Sequence, residues 1–174
     1  IWDYWERNLD PDLFVDHSLE GNVSGRNVLI TGASSGIGKA TALRLADAGA
    51  HVILVARTLE KLEETAAEIE LAGGRASMHT ADVSVMEDVD RLVQEVLEAH
   101  GAIDVLINNA GRSIRRSLEL SFDRFHDFER TMQLNYFGAI RLIMGLAPSM
   151  LERRSGQVIN ISSISALMPA PRFS

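Results

Sequence analysis

Five short apolar runs, set apart by helix-length amphipathic stretches, constrain this chain more than any other feature. The runs lie at Asn27–Thr31 (NVLIT), His51–Ala56 (HVILVA), 76–80 (ASMHT), 103–108 (IDVLIN) and 157–162 (QVINIS). Strands covered by helices on both faces read as such near-continuous apolar or β-branched runs. Between them, Leu59, Leu62, Ala66 and Ile69 step by three or four, as do Val89, Leu92, Val93 and Val96. That spacing places each set on one face of a helix. Strands alternating with helices build a parallel sheet wound on both sides, in three αβα layers. The expected fold class is therefore α/β, a doubly wound parallel sheet followed here through its fifth strand.

Element ends carry their own signals. Ser84 with Glu87 three residues on predicts a capping box at the start of a helix. Gly73, Gly74 and Gly101 fall where helices should stop. Residues 122–151 read as one long helix with Pro148 near its end. The 174 residues suffice for one domain with a real core, expected over 25–174. Residues 1–24 form a lead segment with turn chemistry and no clear periodicity, holding both tryptophans (Trp2, Trp5) and Tyr4. These aromatics either dock on the domain or its neighbour, or make an interdomain or oligomer contact. A chain opening on Ile1 and closing on Ser174 in mid-motif reads as a piece of a longer protein.

The first strand runs directly into Thr31-Gly32-Ala33-Ser34-Ser35-Gly36-Ile37-Gly38, and a helix begins there. Glycines at a strand–helix junction let backbone approach a pyrophosphate, and the helix N-terminus offers free N–H groups with partial positive charge. The spacing is G-x-x-x-G-x-G rather than the common dinucleotide fingerprint G-x-G-x-x-G. It is not a phosphate loop of the Gly-Lys-Ser/Thr kind, because Gly38-Lys39-Ala40 lacks the metal-binding hydroxyl. At the end of the second strand an acid would accept hydrogen bonds from the adenosine ribose and select NAD. Here Ala56 is followed by Arg57, whose guanidinium suits a 2′-phosphate. NADP(H) is the expected cofactor, ahead of NAD(H).

Other chemistries find little support. A formal net charge of −7 argues against nucleic acid or an anionic membrane as the main partner. With no cysteine there are no disulfides or thiolate metal sites. His17, His51, His79, His100 and His126 lie far apart without metal-ligand spacing, so no metal is expected, and most of them should be surface or satisfied positions. No G-x-S-x-G elbow supports an acyl hydrolase. The acidic stretch 60–70 reads as a solvated helix face. All apolar runs look strand-sized, no leader precedes Ile1, and a cytoplasmic location is the expectation.

Taken together, these motifs resemble the short-chain dehydrogenase/reductase family over residues 25–174, and imply its Rossmann-like sheet. TGASSGIG (31–38) is similar to the family's cofactor loop, and Asn108-Asn109-Ala110-Gly111 to its NNAG motif. Asp82-Val83 falls where the family places its adenine-contacting Asp. Gln133-Leu134-Asn135 resembles the segment with the catalytic Asn, and NISS (160–163) the serine strand. The resemblance implies that the loop, including Gly32, Ser34, Ser35, Gly36, Ile37 and Gly38, lines the pyrophosphate, and that Arg57 holds the 2′-phosphate. Asp82 and Val83 would flank the adenine; Asn109, Ala110 and Gly111 would pass the ribose and nicotinamide end. Ser163 would hydrogen-bond the substrate oxygen, and the Asn135 carbonyl would hold a water in the proton relay. Ser162 and Ser165 would be structural.

Hydride transfer leaves charge on oxygen that a proton or a preorganised donor must meet. The family supplies a tyrosine with a lysine one helical turn later. Counting from Ser163 puts that tyrosine one or two positions past Ser174, and the two lysines, Lys39 and Lys61, belong to other helices. Tyr136, directly after Asn135, is read as packing. The 174 residues are thus expected to show no turnover on their own. The segment Trp5 to Asp12 also resembles the connector of bacterial two-domain fatty acyl-CoA reductases, implying a preceding reductase domain and a long-chain acyl substrate. The family's dimers pair through their long helices, here 122–151, implying a homo-oligomer. A cofactor-holding sensor or scaffold without turnover is the alternative from another class.

Overall fold

The computed structural model describes residues 18–114 and 116–163. Trp2, Tyr4, Trp5, the Trp5-to-Asp12 segment, His17 and Ser165 lie outside the described residues. The order is α1 (Leu19–Val23), β1 (Asn27–Thr31), α2 (Gly36–Asp47), β2 (His51–Ala56), α3 (Leu59–Leu71), β3 (Arg75–Thr80), α4 (Met86–His100) and β4 (Val105–Asn108). A 3₁₀ turn (Leu118–Leu120), α5 (Phe125–Met132), a π-helical segment (Gln133–Phe137), α6 (Gly138–Glu152) and β5 (Gln157–Asn160) follow.

The five strands are all parallel, in the order β3-β2-β1-β4-β5. Side chains alternate across a strand, and the core divides accordingly. Val28 and Ile30, with Val52 and Leu54, meet Ala42 and Leu45 of α2 and Leu62 and Ile69 of α3. Leu29, Ile53 and Leu106 point the other way, onto Val89, Leu92 and Val96 of α4 and Leu142 and Leu146 of α6. Three αβα layers result. Acidic residues of α3, among them Glu60, Glu63, Glu64 and Glu70, stay exposed as expected.

The sheet reverses its winding between β1 and β4, and a crevice opens there beyond the strands' carboxyl ends. Ligands bind at such a switch point in open α/β sheets.

Three expectations about elements need correction. The capping box does not form: α4 begins at Met86, with Val85 at the cap and no side-chain cap bond. Ser84 instead gives its N–H and its hydroxyl to Asp82 Oδ1, at 3.0 and 2.6 Å. The long helix is interrupted at Gln133–Phe137, where Gly138 N–H donates to Gln133 O, five residues back. Nor are all apolar runs strand-sized. Residues 125–152 form one helical stretch of 28 residues whose most apolar window has a mean hydropathy of 1.2, long and apolar enough to cross a membrane by length and composition. One of its faces packs into the core through Leu142, Leu146 and Met150.

Candidate cofactor and active site

The crevice contains a cavity of about 440 Å³ bounded by the turns that leave β1, β2, β3 and β4. Gly32, Ser34, Ser35, Ile37 and Gly38 form its floor; Arg57 with Asp82 and Val83 form one end, and Asn109, Ala110 and Gly111 the other. Gly36 is in the turn but not on the lining. Asn135 and Ser163 do not line the cavity either, although Leu134 does.

The loop geometry explains its glycines. Gly32 has φ +69°, in the left-handed region that glycine occupies without steric cost. Gly38 is a packing requirement: a Cβ there would collide with Gly32 O and come within 2.5 Å of Asn109 Nδ2. Removing that methyl lets α2 sit against the loop with its N-terminus aimed into the crevice. Ser35 occupies the cap position of α2 without making a side-chain cap bond. The first-turn N–H groups therefore remain available to an anion. This close-approach cradle fits a dinucleotide pyrophosphate.

Buried Thr31, 2% exposed, couples the two walls. Its hydroxyl oxygen accepts from the backbone N–H of Asn109 and of Ala110, each at 3.0 Å. Asn109 Nδ2 returns a bond to Thr31 O at 2.9 Å. The NNAG turn is thus pinned to the end of β1, an arrangement that sequence reading missed. One strand over, Asn108 Nδ2 donates to Asn160 Oδ1 at 2.9 Å, tying the ends of β4 and β5 together.

At the adenosine end, Arg57 Nη1 lies 3.7 Å from Asp82 Oδ2. Asp82 N–H donates to Asp88 Oδ2 at 2.9 Å, and Arg91 pairs with the same carboxylate. Those two partners, the backbone N–H foremost, hold the Asp88 carboxyl below its ordinary range. Thr58 and Lys61 also line this end, and neither was singled out from sequence.

At the opposite end Asn135 sits in the π segment. Its Oδ1 accepts from Arg112 N–H at 2.8 Å, and its Nδ2 donates to Arg112 O at 2.7 Å. Both side-chain functions are occupied in clamping the loop after β4, so any further chemistry at this residue falls to its main chain. A local π bulge is a common feature at functional sites. Ser163 is exposed just beyond β5, whose exit is fixed by the Ile161 N–H to Asn108 O bond at 2.9 Å. A second cavity of about 180 Å³ lies against Ile114, Phe128 and Met132, beside the Arg116–Asp127 ion pair. Arg124 and Arg116 together hold the Asp127 carboxyl down at about 2.

The histidines are not scattered as expected. The parallel register brings His51, His79 and His100 together between β2, β3 and α4, with ring centroids 5.1 and 5.8 Å from that of His100. His100 Nε2 is buried without a hydrogen-bond partner, an exception among positions of which most were expected to be surface or satisfied. Among the described residues no group of His, Asp or Glu is placed to hold a metal ion.

Comparison with known proteins agrees with this geometry. The profile described as short chain dehydrogenase matches residues 26–174. A fatty acyl-CoA reductase of Acinetobacter baylyi is 60% identical over 153 residues, covering 88% of this chain and 52% of that protein. A fatty acyl-CoA reductase of Mycobacterium tuberculosis is 49% identical over 169 residues, 95% of this chain and 58% of its own length. The chain thus spans little more than half the length of these curated relatives. Among solved structures, a metagenomic short-chain oxidoreductase in complex with NADP superposes with a TM-score of 0.82 at 36% identity, over 87% of this chain and 68% of that one. L-sorbose reductase from Gluconobacter frateurii, complexed with NADPH and L-sorbose, gives 0.79 at 38% identity, over 85% and 56%.

Proposed function

The chain belongs to the short-chain dehydrogenase/reductase family, and from that premise we propose that it is the cofactor-binding portion of an NADP(H)-dependent oxidoreductase interconverting a carbonyl and an alcohol. The observation that carries the cofactor choice is Arg57 on the rim of the cavity, in the place where an acid would select NAD. The NADP and NADPH complexes among the similar structures support it. Long-chain acyl compounds are the proposed substrates. The names of the two curated relatives support this, as does the largely apolar second cavity beside the loop that follows Gly111. The resemblance of the Trp5-to-Asp12 segment and the greater length of those relatives support a preceding reductase domain in the longer protein.

In this reading, nicotinamide supplies or accepts the hydride when bound. Gly32 and Gly38, with the first-turn N–H groups of the helix that Gly36 opens, hold the pyrophosphate between them. Arg57 meets the 2′-phosphate, Asp82 and Val83 border the adenine, and the Thr31-pinned turn of Asn109, Ala110 and Gly111 aligns the nicotinamide end. Ser163 donates a hydrogen bond to the reacting oxygen, where preorganised donors act most strongly on developing charge. The Asn135 carbonyl holds a water for proton delivery, its side chain being committed to Arg112. No Tyr-x-x-x-Lys spacing occurs in the 174 residues.

Fluorescence titration of the chain with NADPH and NADH tests the proposal. NADPH should bind more tightly, Arg57→Ala should lose about tenfold in NADPH affinity through the missing charge-assisted bond, and NADH affinity should hardly change. A mutant that keeps its full preference would sink the 2′-phosphate assignment. The same preparation should reduce no long-chain aldehyde, and measurable turnover would overturn the account of which groups do the chemistry.

A further inference from the structure

The chain has only two lysines, and the fold uses them differently. Lys39 is paired with Glu68 at 2.6 Å, bridging α2 and α3. Lys61 borders the large cavity at its adenosine end; its carbonyl accepts from Thr65 Oγ1 at 3.0 Å, and no hydrogen bond or ion pair engages its ammonium among the described residues. Its position is locally the wrong place for a cation. With Thr58 at the cap, Lys61 is the third residue of α3, in the first turn, where the helix macrodipole favours an acid and opposes a positive charge. Glu64, three residues on and within reach along the helix, is an acid, yet it does not pair with Lys61. A local rule broken without a compensating contact marks a functional position.

The second observation concerns Arg57. Its guanidinium is drawn to Asp82 Oδ2 at 3.7 Å, so its charge is shared with an acid at the same end of the cavity. A ribose 2′-phosphate carries more than one negative charge near neutral pH and has three acceptor oxygens. One cation that already faces a carboxylate does not neutralise it. Arg57, Thr58 and Lys61 follow one another along the exit of β2 and the first turn of α3, and all three line the cavity.

We propose that Lys61 is a second cofactor-selecting residue, its ammonium meeting the adenosine 2′-phosphate together with Arg57. This inference rests on the NADP(H) reading above. Lysine acts here as a mobile point charge, while arginine supplies the planar fork. Discrimination between the two cofactors would then be divided between strand end and helix start, and removal of either cation would leave a partial preference.

The test is a titration of the full chain, as wild type, Lys61→Gln, Lys61→Arg and Arg57→Ala, with NADPH, NADH and 2′,5′-ADP, each checked for folding by circular dichroism. Lys61→Gln should weaken NADPH and 2′,5′-ADP about tenfold and leave NADH within twofold. Lys61→Arg should retain most of the affinity. An unchanged NADPH affinity in Lys61→Gln, or an equal loss for NADPH and NADH, overturns the role of Lys61. If that happens while Arg57→Ala still weakens NADPH selectively, the NADP(H) reading survives without Lys61. A wild type that binds NADPH no more tightly than NADH overturns both.

Discussion

Thr31 shows how much of the site hangs on one hydroxyl. It is buried at the end of β1, and its oxygen is the acceptor for two backbone N–H groups, those of Asn109 and Ala110. Thr31→Val keeps the shape of the side chain and removes the acceptor. Two part-buried donors would be left unsatisfied, each costing on the order of 1–3 kcal/mol at full burial. The variant should unfold at lower denaturant, with stability reduced by about 2 kcal/mol or more, and should bind NADPH more weakly as the Asn109-to-Gly111 wall loosens. An unchanged denaturation midpoint would show that the turn is held by something else. The glycines and NNAG were legible in the sequence because their chemistry is local. Thr31 was not, because a threonine at a strand end reads as ordinary β-propensity and its partners lie 78 and 79 residues away. Lys61 was passed over for a related reason: a lysine in an acidic helix reads as solvated until the fold turns it to the cavity.

At the scale of elements, hydrophobic periodicity located the strands and helices to within a few residues, whereas polar detail at their ends went astray. Ile103 was expected in the fourth strand; it is buried but precedes the ladder, and Asp104 instead receives the backbone N–H of Asn27 at 2.9 Å. The π segment was invisible because nothing in Gln-Leu-Asn-Tyr-Phe announces a register change; the clamp from Asn135 to Arg112 that accompanies it is a tertiary contact. The histidine cluster under α4 likewise exists only in the folded register. His51 bonds to Asn27 Oδ1 and Ser77 Oγ, and His79 faces Glu95, which Arg91 also holds. Burial foremost lowers the pKa of both His51 and His100, with Arg75 adding to the effect on His51 and the neighbouring histidines to that on His100. The native state therefore binds fewer protons here than the unfolded chain. Stability from these neutral rings is complete above about pH 6.5 and is lost as pH falls through their lower folded-state values. Thermal denaturation between pH 7.5 and 5.5 should show a falling midpoint, and His100→Leu should flatten that slope. A slope unchanged by the substitution would place the pH sensitivity elsewhere. The carboxylates held low, Asp88 by the Asp82 N–H foremost and then Arg91, Asp90 and Asp127 by arginines, titrate in a separate and more acidic window.

For the whole molecule, the arm formed by α5, the π segment and α6 carries apolar side chains that the core does not cover. Leu142, Leu146 and Met150 turn one face of α6 onto the sheet and α4. The other side carries Phe137, Ile140, Met144 and Leu151, spaced three, four and seven residues apart and 46%, 39%, 63% and 76% exposed. Such spacing makes a single stripe, and a contiguous exposed apolar stripe marks an interaction surface. We propose a second copy of the same chain as the occupant, on the resemblance to the family's pairing through its long helices. A two-fold contact of this kind is self-complementary, so a charge placed on the stripe meets its own image and repels it. We therefore expect a homodimer by sedimentation equilibrium, shifted toward monomer by Met144→Glu at a position whose side chain is largely outside the core. The variant should keep its circular dichroism and its NADPH affinity, because the cavity lies beyond the strand ends and Met144 is not among its walls. A wild type that sediments as a monomer at tens of micromolar, or a dimer indifferent to the substitution, would remove this arm as the interface.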